Sequence, residues 1–133
     1  MIYMAMPFIA WCVAGCVKFA INYLCFGQEA KSLIGYGGFP STHTTIMSSV
    51  VFFAGFIEGF ATPLFSVGMG GLLVLIIDAH GLRRKIGEQA SVLNSLQDAK
   101  VLRERMGHSW LEIFGGLVLG IILAKFGSLV VLN

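Results

Sequence analysis

Read only for apolar and polar positions, the chain falls into long apolar stretches separated by short polar ones. The first covers residues 1–26 and is interrupted only by Lys18 and Asn22. A bilayer core of about 30 Å needs roughly 20 apolar residues at ~1.5 Å each, so this stretch predicts one membrane span. From Thr42 to Ile77 the chain is apolar for too long to be a single crossing, and Gly55, Glu58, Gly59 and Pro63 fall near its middle. Glycines, a charge and a proline that cannot continue a helix predict a turn there. The result is a second span over 42–60 and a third over 63–78. The stretch 111–132, apolar apart from Glu112 and Lys125, predicts a fourth.

Between the third and fourth spans lies HGLRRKIGEQASVLNSLQDAKVLRERMGH, which holds most of the charge. Leu82, Ile86, Leu93 and Leu96 recur in it at heptad-like offsets, with Arg84, Lys85, Glu88 and Asp98 elsewhere. That pattern predicts an amphipathic helix lying at the membrane surface or capping the bundle. The fold expected is therefore an all-α, polytopic membrane helix bundle. It has four transmembrane helices, a cytoplasmic amphipathic helix between spans three and four, and a single domain over 1–133.

Composition agrees with a chain written for lipid. Of 133 residues, 56% are hydrophobic and only 12% charged, and the mean hydropathy is +0.83. The start, MIYMAMPF, lacks the basic region and cleavage pattern of a signal peptide and reads as a retained span. Cys12, Cys16 and Cys25 all fall in that first run, with no zinc-like spacing and no partner elsewhere, and are expected to be free, buried thiols. A net charge of +2 is too small an excess to suggest nucleic acid.

Four crossings bring the end of span one, the start of span two, the end of span three and the start of span four to one side. Lys18, Ser41, His43, Asp78, His108 and Glu112 then share a face. Eight of the nine Lys and Arg residues belong to it: Lys18, Lys31, Arg83, Arg84, Lys85, Lys100, Arg103 and Arg105. By the positive-inside rule that face is expected to be cytoplasmic, with both termini outside.

Two motifs there carry possible chemistry. In GHSWLE, His108 and Glu112 are four apart at a helix mouth, so the carboxylate can hold one imidazole nitrogen and leave the other free. That geometry suits a nucleophile or base, and equally an interfacial pair that ends the loop. In GGFPSTHTT, Gly37 and Gly38 free the backbone, Pro40 stops what precedes, and Ser41 or Thr42 can cap a helix whose first turn carries His43. A helix N-terminus attracts anions, hydroxyls add donors, and a histidine can protonate a leaving oxygen; an ordinary capped span would read the same way.

Lys18, about two turns inside span one, is costly there unless it finds a partner. Arg83 and Arg84 offer guanidinium forks to phosphate, or merely record the positive-inside bias. Asp78 can orient either arginine or help hold a divalent cation, although one carboxylate is a thin metal signal. His80 suits an interface residue equally well and stays outside the candidate set. Spacings such as Gly116 to Gly120 permit close helix crossings.

Together GGFPSTHTT, DAHGLRRKIGEQASVLN and ERMGHSWLEIFGG, with Lys18 upstream, resemble the divergent branch of the type 2 phosphatidic acid phosphatase superfamily. This branch is related to acid phosphatases and vanadium-dependent haloperoxidases. The resemblance runs from Lys18 to about Gly120. It implies a metal-independent lipid phosphatase without cofactor, in which His108 attacks phosphorus, Glu112 orients it and His43 protonates the leaving oxygen. Ser41 and Lys18 would hold the phosphate, and Thr42 stands at the position of the family's glycine.

Glu112 replaces the family's aspartate, and Leu102 stands where an arginine is expected, six residues before His108. Arg83 is the preferred substitute, with Arg84 or Arg103 as alternatives. The substrate implied is a polyprenyl or glycerophospholipid phosphate monoester or diphosphate in a bacterial inner membrane. The alternative is a lipid-phosphate binding or transport subunit without turnover. The superfamily's six-helix bundles also suggest that two chains pair.

Overall fold

The computed structural model describes residues 2–28, 38–96 and 101–132. Gly37, Lys31, Asp98 and Lys100, which enter the sequence reading, lie outside them. Among the described residues there are five helices and no strand: α1 (Ile2–Phe26), α2 (Thr42–Glu58), α3 (Pro63–His80), α4 (Leu82–Ser95) and α5 (Trp110–Leu132). The boundaries follow local chemistry. Ser41 caps α2 by accepting the Thr44 N–H, and Gly59, at φ 104°, ends it. Thr62 caps α3 at the Phe65 N–H, with Pro63 in the first turn where its missing N–H is no loss.

Three helical stretches among the described residues are long and apolar enough to cross a membrane: Ile2–Cys25, Pro63–Ser95, which joins α3 and α4, and Trp110–Leu132. The second span of the sequence reading, 42–60, corresponds to α2, which at 17 residues is shorter than these. The amphipathic helix expected after span three is α4. It ends at Ser95, whereas 101–109 returns without helix toward the bundle.

α2 is the centre of the bundle, packing on α5, α1 and α3. It runs parallel to α5: Ser41 and Thr44 lie against Gly116, Ser48 against Gly120, and Phe53 against Gly127. α1 and α3 run opposite to α2, since Tyr3 packs edge-on to Phe53 at 5.0 Å, Phe65 lies beside Gly55 and Val51 beside Gly68. The strip of α2 facing α5 is polar yet buried. Thr45 Oγ1 donates to Ser41 O at 2.9 Å and Ser48 Oγ to Thr44 O at 2.6 Å. Returning each hydroxyl to its own helix satisfies it without water and leaves small residues at the crossing.

At the end holding the chain N-terminus, Met6, Phe53 and Ala124 form a buried cluster. Phe52, Phe56, Phe60 and Phe65 stack edge-to-face around the α2–α3 turn, and Tyr3 donates to Glu58 at 2.9 Å. The glycine pair Gly116 and Gly120 thus serves a crossing within the chain.

Candidate functional site

The opposite end of the bundle collects the last turns of α1 and α3 and the first turns of α2 and α5. Two backbone hydrogen bonds knit it: Ser41 N–H to Glu112 O at 2.9 Å, and His108 N–H to Ala79 O at 3.0 Å. Gly107, at φ 81°, admits the close approach, because a Cβ there would lie 2.9 Å from both Ala79 O and the Arg84 N.

His108 is buried just before α5, with its Nδ1 3.3 Å from Glu112 Oε2. The same carboxylate oxygen accepts the Ser109 N–H at 2.8 Å, while Ser109 Oγ accepts the Glu112 N–H at 3.3 Å. This reciprocal capping box fixes the carboxylate before it meets the imidazole. Ser109 escaped the sequence reading, although S-x-x-E before an apolar run is its recognised signature. Burial lowers the His108 pKa below the ordinary histidine value, the Glu112 carboxylate opposes that shift, and the Lys18 and His43 charges add to it.

The other candidates surround this pair unequally. Lys18 is half-buried in α1, within electrostatic reach of Glu112 and Arg103. His43, exposed in the first turn of α2, is within reach of Arg83, Lys18 and Asp78. Arg83 is half-buried, and its Nε donates to Asp78 Oδ2 at 2.5 Å. Asp78 therefore sits where it orients an arginine.

Three residues lie differently. Ser41 is fully buried, its hydroxyl 2.9 Å from Thr44 Oγ1 and engaged in the helix cap. Thr42, the first residue of α2, is half-buried. Arg84 is exposed, and its side chain packs along Gly107. The structure thus brings together Lys18, His43, Asp78, Arg83, His108 and Glu112, buries Ser41 and leaves Arg84 exposed beside Gly107. Among the described residues no three His, Cys, Asp or Glu side chains are grouped to hold a metal ion.

An imidazole oriented by a carboxylate, within reach of Lys18 and of a second histidine that itself lies near Arg83, is equipped to bind an oxyanion and exchange a proton with it. Over residues 2–123 the chain matches the family described as the Divergent PAP2 family. It is similar to YuiD of Bacillus subtilis (strain 168), an uncharacterized membrane protein, at 28% identity across 80% of this chain and 81% of the relative. No solved structure matches. With its apolar helices, this likeness makes the chain a membrane protein.

Proposed function

The chain belongs to the divergent PAP2 family, and from that premise we propose that it is an integral-membrane lipid phosphatase acting on a phosphate monoester or diphosphate of a polyprenyl or glycerophospholipid. The observation that carries the reading is the convergence of His108–Glu112 with Lys18, His43 and Arg83 at one end of the bundle. Glu112 faces Nδ1, so in neutral His108 that nitrogen carries the proton and Nε2 presents its lone pair. Nε2 attacks phosphorus as the bond to the lipid oxygen breaks, and His43 gives that oxygen a proton. Water then attacks the phosphohistidine, returns a proton to His43 and releases inorganic phosphate. Lys18 and Arg83 neutralise the phosphoryl oxygens, the dominant contribution in phosphoryl transfer. Ser41 holds the α2 terminus in place, and the N–H groups of its first turn face the same anion.

α2 is proposed as a fourth span, because it runs beside α5 and at ~1.5 Å per residue covers about 26 Å. The cation-rich end then faces the cytoplasm of a bacterial inner membrane, with both termini outside. Two copies are proposed to pair; the mass of the detergent-solubilised particle tests this, and a strict monomer overturns it.

The protein in detergent is expected to release phosphate from short-chain lipid phosphates. Binding without release would favour a lipid-phosphate carrier instead. A contrast within DAHGLRR sharpens the test. Arg83→Ala is expected to weaken vanadate binding about 10- to 100-fold, the value of one charge-assisted hydrogen-bond pair. Arg84→Ala should leave it within about threefold, the scatter of an exposed charge. Equal losses from both would remove Arg83 from its role.

A further inference from the structure

We propose that His80 is a positioning residue for His108, holding the backbone of the nucleophile against the end of α3. This rests on the hydrolase reading for its kinetic consequence, but not for its geometry. His108 is gripped on both sides of its own peptide unit: its N–H donates to Ala79 O at 3.0 Å, and its C=O lies 3.2 Å from His80 Nδ1. A carbonyl only accepts, so Nδ1 of His80 carries the hydrogen, which fixes the tautomer and leaves Nε2 bare in the neutral ring. The ring itself is clamped, since the indole of Trp110 covers it with centroids 4.3 Å apart and planes inclined by 31°.

Trp110 opens α5, two residues beyond His108, and the Ser109–Glu112 capping box begins between them. His80 therefore ties the last turn of α3 to the segment that sets both members of the His108–Glu112 pair. Five residues of one stretch share the work. Asp78 and Arg83 form the ion pair beside His43, Ala79 and His80 bind the backbone of His108, and Arg84 packs on Gly107. The span end thus sets the distance between the phosphate-binding arginine and the attacking nitrogen, and a shift of about 1 Å in such geometry costs on the order of a hundredfold in rate.

Side-chain replacements at His80 separate its donor from its bulk. Asparagine puts an N–H near the position of Nδ1, glutamine puts it one bond farther out, and phenylalanine keeps the stack on Trp110 without any donor. His80→Phe is expected to lower kcat for a short-chain lipid phosphate about tenfold, the value of one net hydrogen bond, with KM unchanged. His80→Asn should recover to within about threefold, and His80→Gln should not. A second readout needs no turnover: the titration of His108 followed by NMR of isotope-labelled histidine in micelles, with Lys18, His43, Glu112 and His80 as its charged and titratable neighbours. His80→Phe should bring the His108 midpoint toward the ordinary ~6.5 as the ring loses its enclosure, and His80→Asn should leave it low.

Unchanged kcat and an unchanged His108 titration in His80→Phe would overturn the inference. If the parent protein hydrolyses no lipid phosphate, the hydrolase reading fails and the titration alone decides the positioning role. If His80→Phe loses its fold, asparagine and glutamine decide it: equal behaviour of the two overturns it.

Discussion

His108→Ala is expected to abolish phosphate release, with kcat down at least about a thousandfold, because it removes the atom proposed to bond phosphorus. The fold should survive. The contacts that seat this segment, His108 N–H to Ala79 O and His108 O to His80, belong to the backbone and outlast the loss of the ring. Glu112→Gln is the graded companion. Glutamine can still complete the capping box with Ser109, so the helix start is kept while the charge facing Nδ1 is lost. A loss of about 10- to 100-fold in kcat is expected, in the range of a general positioning or acid–base contribution.

The pH profile supplies an independent signature with a definite sign. In the proposed mechanism the attacking form of His108 is the neutral one, and burial lowers its pKa, so the acid limb of kcat/KM should fall below the ordinary histidine value. The Glu112 carboxylate opposes that shift. Its removal in Glu112→Gln should therefore move the limb further toward acid. A limb that moved upward would show that Glu112 does not face the titrating imidazole.

Gly120→Leu should be the most damaging single change to the fold, independently of any activity. Even a Cβ at Gly120 would overlap Ser48 Oγ and lie 2.7 Å from Thr45 O and 2.9 Å from the Ser49 N. Rotation of the serine hydroxyl relieves the first contact, but the other two are to the backbone of α2, so α2 and α5 must separate. Overpacking costs about 1–3 kcal/mol where a core can adjust, and here the separation also removes the close packing that stands in for the hydrophobic effect between helices in lipid. Gly70→Ala is the control. No atom lies within 4 Å of a Cβ there, and alanine is favoured in a helix by up to about 1 kcal/mol. Thermal unfolding in detergent should separate the two variants clearly, and a Gly120→Leu protein as stable as Gly70→Ala would refute the α2–α5 register.

Much of this architecture is legible in the order of residues because lipid punishes ambiguity. Pro63 and the glycines before it mark the α2–α3 turn, Ser41 marks the start of α2, and the apolar stretches 1–26 and 111–132 are nearly the helices found. Counting crossings puts Lys18, His43, Asp78 and His108 at one end, and the packing of α2 against antiparallel α1 and α3 and parallel α5 agrees. The span count is less legible, because the 17 residues of α2 sit at the lower margin of a crossing and owe their burial to neighbours.

The differences between Arg83 and Arg84 were beyond sequence reasoning. Both follow the helix junction at Gly81, and only the backbone turn there decides that Arg83 meets Asp78 while Arg84 lies along Gly107. Ser41 illustrates a competition between two roles open to one hydroxyl, and its burial under Thr44 gives it to the helix cap. The return of 101–106 along α4 was also hidden. It depends on Asn94, whose amide donates to Leu102 O at 2.7 Å and whose carbonyl accepts the Leu102 N–H at 3.0 Å. A single asparagine in an amphipathic pattern does not announce such a contact.

The most direct measurement is the identification of the residue that becomes phosphorylated while the protein turns over a radiolabelled lipid phosphate, quenched in alkali to preserve a phosphohistidine. The account predicts label on the peptide carrying His108, absent from His108→Ala and retained in Glu112→Gln at a reduced level. Label on His43 or His80, or steady hydrolysis with no labelled histidine at all, would contradict it.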